Sequence, residues 1–452
     1  MKRVLFLTAA LAPGAAQAGL TAGAGRAAIE LPASLLPIDR FTDQLDPLEV
    51  RVLTLSDGTR KAAIALIDQT SLSARDVSAM QAVVGKATGA AGQDVLVVAS
   101  HTFSAPHMFA ANPPPGMAVD EAETLRARAY VANAMAALEK AAHQAADTAA
   151  AATLRFGAAA SQVAVNRNVE TPEGWWLGAN EAGYSDRTVT TVQLESTDHR
   201  PIASLVNYAV QSSVMDQTGA RDGGPDGGPD GGKAVSADLA GATMRRVEEH
   251  LGGVSLFLTG AAGDQVPAYT ARRYAYGADG KPALISLGAA GYPLVTLQGE
   301  RLGDAALRAV RAAAPIRAER LALFQGKVSL TMQERPKQLS QLKPSRDYRY
   351  QINGRADAPF TLLTLGDVAI IGVQVELSAA TGAWLRAHSP YRHTMVATMV
   401  NGAAKYLPDA QSYRRITYQA MNSSYGPGSA EVLAQAIVAQ LGRMAKAGKG
   451  AK

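Results

Sequence analysis

Two of the chain's seven histidines, His101 and His107, bracket the short stretch Thr102-Phe103-Ser104-Ala105-Pro106, which reads as a loop. A histidine near a serine is the pairing from which an activated nucleophile is built: the imidazole takes the hydroxyl proton and a carboxylate orients the ring. Ser104, Ser212 and Ser213 supply hydroxyls in loops, and His107, Asp216, Asp238 and Asp264 could supply a base and its partner. Serines beside strand ends more often satisfy loop backbone groups, so this chemistry stands as one alternative. His143 has no second ligand type one helical turn away and reads as a surface residue. His199, His250, His388 and His393 fall in loops or at helix ends, where solvated or capping roles are the default. The chain has no cysteine, which excludes thiolate nucleophiles, thiolate metal sites and disulfides.

What positions the His101 loop is the run before it. Val95 to Ser100 is short, apolar and β-branched, and reads as a buried central strand covered on both faces. Its loop then lies at the carboxyl end of a strand, where open α/β sheets place ligands. A second apolar strand, Val368 to Val373, ends the same way at Gln374-Val375-Glu376.

The run SHTFSAP around His101 resembles the SHTHSGP/SHTHSAP signature of the neutral, non-lysosomal ceramidases, secreted zinc amidases that cleave the N-acyl amide of the sphingolipid ceramide. The resemblance implies zinc on two histidines, a glutamate and a tyrosine, with a serine nucleophile in a GDVSPN-like turn. His101 matches the first ligand. Glu376 matches the glutamate, although the preceding Pro-Gly is lost. Tyr406, in NGAAKY, matches the tyrosine ligand, and Tyr418 matches a second active-site tyrosine. Arg167, in Val165-Asn166-Arg167, matches a short turn beside the site. The departures are equally specific. Phe103 replaces the second histidine of the signature, Gln211 in YAVQSSVM stands where the other zinc histidine belongs, and Gly263-Asp264-Gln265-Val266-Pro267-Ala268 puts Val266 at the nucleophile position. Glutamine is a poor zinc ligand and valine cannot attack a carbonyl. Zinc on His101, Glu376 and Tyr406 is therefore doubtful, and no other cofactor is implied. Phe103, Ser104, Arg167, Gln211 and Asp264 are expected to line the ligand site.

The expected fold is a single large mixed-sheet α/β domain with helices packed on the sheet, as in the ceramidase catalytic domain, without the family's C-terminal immunoglobulin-like domain. Residues 1–18 read as a signal peptide, with Lys2 and Arg3, a short apolar run and Ala16-Gln17-Ala18. The mature domain is expected over 19–445, with a flexible Gly/Pro/Asp insert at 222–232 and a disordered basic tail at 446–452. The insert, DGGPDGGPDGG, matches neither an EF-hand loop nor a β-roll spacing. Strands are expected at Ala27–Leu31, Leu48–Leu55 and Ala62–Asp68, and helices at Ala74–Lys86, Asp120–Ala150, Ser236–Leu251 with Ser236 as cap, Pro293–Ala313 and Ser429–Met444. Tyr406, Tyr413 and Tyr418 are read into a loop. Trp175 and Trp176 read either as lid aromatics or as a plug beneath a loop.

The net charge is +5, but Lys2 and Arg3 leave with the signal and Arg443, Lys446, Lys449 and Lys452 crowd the end. No basic stripe with interleaved aromatics suggests nucleic acid. The favoured expectation is an exported bacterial protein, periplasmic or secreted, that binds a lipid, N-acyl amide or envelope component with little or no ceramidase turnover. An altered hydrolase using a residual metal or a nearby serine is the alternative, and a structural envelope protein the second.

Overall fold

A computed structural model describes residues 19–112, 120–216, 218, 232–317 and 320–450. The signal segment and nearly all of the 222–232 insert lie outside the described residues. The largest sheet has the order Val254–Thr259, Pro201–Tyr208, Thr188–Ser196, Ala150–Ala160, Thr21–Ala28, Glu49–Ser56, Lys61–Ile67, Val95–Ala99, with Ala314–Ile316 added beside Ala150–Ala160. A second sheet has the order Leu321–Gln333, Ile352–Leu365, Val368–Val373, His393–Ala397. Apolar side chains from both sheets meet in one core that includes Leu55, Leu154, Leu205, Leu363 and Ile370. The mixed α/β architecture expected from the sequence is the one observed.

Parallel pairing is confined to a few strand pairs, and three of them position the site. Lys61–Ile67 runs with Val95–Ala99, Pro201–Tyr208 with Val254–Thr259, and Val368–Val373 with His393–Ala397. Their carboxyl ends are tied together. Thr259 Oγ1 donates to the Ser100 carbonyl at 3.0 Å, Thr398 N to the Thr259 carbonyl at 2.9 Å, and Asn207 Nδ2 to the carbonyls of both Leu258 and Val396.

Several sequence expectations are corrected. Val95–Ala99 is an edge strand of its sheet, not a central one; both its faces are buried because Val95, Val97 and Ala99 enter one core and Leu96 and Val98 another, and the Thr398–Asn401 segment closes its free edge, with Ala99 N donating to Met399 O and Asn401 N to Val97 O. The first strand is Thr21–Ala28 rather than Ala27–Leu31. Its glycines hide it, because strand propensity argues against Gly. They are there for packing: a Cβ on Gly23 or Gly25 would lie 2.2 Å from the carbonyls of Ala145 or Ala141 on the long helix Glu121–Asp147. Ser236 lies outside the helix, which begins at Asp238; its hydroxyl still accepts the Asp238 N–H at 2.9 Å. Trp175 and Trp176 belong to the strand Gly174–Asn180, paired with Ala164–Thr171, not to a lid. Tyr406 opens a two-residue strand, and Tyr413 and Tyr418 sit in short helices. The last helix continues to Gly450, through the start of the segment expected as a disordered tail. Among the described residues, no helix is long and apolar enough to cross a membrane.

Candidate functional site

His101 follows its strand by two residues and adopts φ = 63°, a left-handed conformation that costs a non-glycine residue about 1–3 kcal/mol and marks a position held by its surroundings. What holds it is Thr70, at the end of the parallel neighbour strand: His101 Nδ1 lies 2.7 Å from the Thr70 carbonyl. A carbonyl only accepts, so Nδ1 carries the hydrogen and Nε2 points the other way, 3.3 Å from Glu376 Oε2. Phe103 packs edge-on against the imidazole, with centroids 4.9 Å apart.

Glu376 is set by backbone pairing. Glu376-Leu377 forms a parallel ladder with Tyr406-Leu407, Glu376 opposite Tyr406. Gln211 comes from the third strand end. Its Nε2 donates to Glu376 Oε2 at 2.9 Å, and its Oε1 accepts from Arg167 Nη1 at 3.2 Å. The amide has one orientation only, since a guanidinium can only donate and a carboxylate here accepts. Arg167 Nη1 also reaches Tyr406 Oη at 3.4 Å, and the guanidinium lies 5.8 Å from the centre of the Tyr418 ring. Burial opposes the Arg167 charge but Tyr406, Tyr418, Asp216 and Glu376 more than offset it, so its pKa is raised. Burial, with the Glu376 carboxylate nearby, likewise pushes the Tyr406 phenol up.

The structure thus brings together His101, Phe103, Arg167, Gln211, Glu376, Tyr406 and Tyr418, residues scattered over more than three hundred positions of sequence. Gln211, His101, Glu376 and Tyr406 are buried, whereas Phe103, Arg167, Val266 and Tyr418 keep partial exposure and mark the open side. Val266 lies opposite Val165 in a short antiparallel pair with Ala164–Thr171, two residues from Arg167 and on its face of the strand.

Two expected ligand-lining residues do other work. Ser104 is fully enclosed, and its carbonyl accepts the Ser236 N–H at 2.8 Å; its hydroxyl is turned away from solvent. Asp264 is a clamp: its carboxylate accepts from Ala379 N at 2.8 Å and Asn166 Nδ2 at 3.2 Å, and burial pushes its pKa up to about 6. The serine–histidine alternative finds no geometry among the described residues. The ring nitrogens of His101 meet Thr70 and Glu376, Ser212 Oγ accepts from Ala240 N, Asp238 accepts from the Val214 and Met215 amides, and His107 pairs with Asp39. Thr70 was missed by sequence reading because it acts through its carbonyl, which every residue has. Its only signal was its place three residues beyond a parallel strand. Trp176 is the plug of the two earlier alternatives, buried against Tyr418 at 5.6 Å beside Met421 and Leu342, while Trp175 stacks under Arg415.

No family model and no curated protein matches this sequence. Among solved structures, the neutral ceramidase of Pseudomonas aeruginosa superposes with a TM-score of 0.69 and 14% identity, over 93% of this chain and 73% of that one. A ceramidase complexed with C2 gives 0.67 and 14%, over 92% and 74%. The fold is ceramidase-like.

Whether a ceramidase-like zinc ion suits these residues is a question about Gln211. Where the resemblance calls for a second imidazole lone pair, this chain turns an N–H toward Glu376. The amide oxygen that could have bound a metal is already taken by Arg167. Among the described residues, no group of three or more His, Asp and Glu side chains is arranged to hold a metal. The donor set does not fit the zinc of the ceramidase pattern.

Proposed function

We propose that this protein binds an N-acyl amide or related lipid at the strand-end site and does not hydrolyse it by ceramidase chemistry. The observation that carries the reading is the Gln211 amide locked between Arg167 and Glu376, which fills the second-histidine position with a hydrogen-bond donor. Val266 at the nucleophile position supports it, since no hydroxyl stands there. The partly exposed Phe103, Val266 and Tyr418 give the open side an apolar rim suited to an acyl chain. Export to a bacterial periplasm or medium, from the N-terminal residues, belongs to the same proposal.

The test is direct incubation of the purified protein with a short-chain ceramide and other N-acyl amides, measuring both binding and fatty-acid release. Binding without release supports the reading. Release that disappears in Glu376→Gln overturns it.

That outcome is the second reading, an altered hydrolase, and one feature favours it. His101 is oriented by Nδ1 on a backbone carbonyl, as metal-bound histidines commonly are. With Nδ1 so engaged, Nε2 and Glu376 Oε2 face each other 3.3 Å apart, two groups of the kind that bind a metal.

A further inference from the structure

Arg167 is under-used by the protein around it. Its Nη1 serves Gln211 and Tyr406, but its Nε–H is buried without a hydrogen-bond partner, and among the described residues no carboxylate hydrogen-bonds the guanidinium. A buried, unpaired donor on a permanent cation forfeits its hydration with nothing in return. The side chain cannot relieve that cost by losing its charge. Gln211 and Tyr406 hold the Nη1 edge, and the Tyr418 ring holds the plane. The remaining edge, Nε–H with Nη2–H, is the fork that a carboxylate fits with two parallel hydrogen bonds.

We propose that the unpaired Nε edge of Arg167 is a carboxylate-recognition fork, and that the ligand of this site is an anionic amphiphile bearing a carboxylate beside its acyl chain, such as an N-acyl amino acid, rather than a neutral N-acyl amide. This rests on the lipid-binding reading above and narrows it. The apolar rim of Phe103, Val266 and Tyr418 takes the chain, and Arg167 takes the charge. A neutral amide presents one carbonyl oxygen and cannot engage both N–H groups as acceptors of matching charge.

The test compares two probes that differ only at that group, N-dodecanoylglycine and N-dodecanoylglycinamide, titrated calorimetrically into the intact protein below their micellar concentrations. The expected result is a preference of about tenfold or more for the carboxylate, in line with a charge-assisted bidentate contact. Arg167→Gln should remove the preference, and Arg167→Lys should keep part of it. Equal affinity of both probes for the unmodified protein overturns the fork but leaves lipid binding standing. Binding of neither probe, nor of a short-chain ceramide, overturns both. The comparison on the unmodified protein needs no variant to fold.

Discussion

Gln211 Nε2 donates to Glu376 Oε2 at 2.9 Å, the same oxygen that faces His101 Nε2 at 3.3 Å. One carboxylate oxygen thus receives two elements of the site, and Gln211 carries the contact onward to Arg167. Side-chain hydrogen bonds run from Glu376 through Gln211 and Arg167 to Tyr406, with His101 Nε2 facing the same carboxylate.

Replacing Gln211 by histidine should return a lone pair to that oxygen's neighbourhood and release Arg167 from Gln211. Zinc affinity, measured by titration of the purified protein, is expected to rise at least about tenfold, the scale that even an outer contact to a metal ligand is worth. Adding Phe103→His and Val266→Ser should preserve the gain. No gain in any of these variants would mean that Gln211 is not what keeps zinc away.

Gln211→Ala should instead leave Glu376 and Arg167 each one partner short. The expected destabilisation is about 1–3 kcal/mol by chemical denaturation, the cost of buried polar groups losing their hydrogen bonds. An unchanged midpoint would show that water replaces the amide freely.

Trp176 is 7% exposed and stands edge-on to Tyr418 at 5.6 Å, interplanar angle 88°. Trp176→Ala should cost about 3–5 kcal/mol of stability, as truncation of a buried aromatic does. It should also weaken acyl-chain binding, because the wall behind Tyr418 goes with it.

Asp68 gives a pH dependence with a definite sign. It is fully buried near Arg51, Glu49 and Tyr130, and burial raises its pKa from 3.8 to about 6 despite the Arg51 charge. A carboxyl with a raised folded-state pKa binds its proton more tightly when folded. Its contribution is therefore full below the unfolded value of 3.8 and is lost as pH rises through about 6. The stability of the protein relative to Asp68→Asn should fall between pH 4 and 6, by at most about 3 kcal/mol, and be flat above. A difference that rises over that window would place the Asp68 pKa below its ordinary value.

The parts of the fold that sequence reading found are those where burial dictates composition. Val368–Val373 is covered on both faces, so no polar side chain could be used there, and its limits are the ones the sequence predicts. Thr21–Ala28 was misplaced because its residues answer to the helix pressed on it, not to strand propensity. In the site, His101, Glu376 and Tyr406 were visible as types in context. The orientation of Gln211 was not, because it depends on two partners, Arg167 and Glu376, that are 209 positions apart in the chain and adjacent only after folding. The enclosure of Ser104 is equally hidden, since the burial of a loop residue depends on neighbours distant in sequence.

The ladder that sets Glu376 beside Tyr406 is made of main chain, and Glu376 N donates to the Lys405 carbonyl at 2.9 Å irrespective of which side chains it carries. A site hung on such a frame can be rewritten one residue at a time without rebuilding the scaffold. The frame therefore keeps its address whatever chemistry its side chains spell.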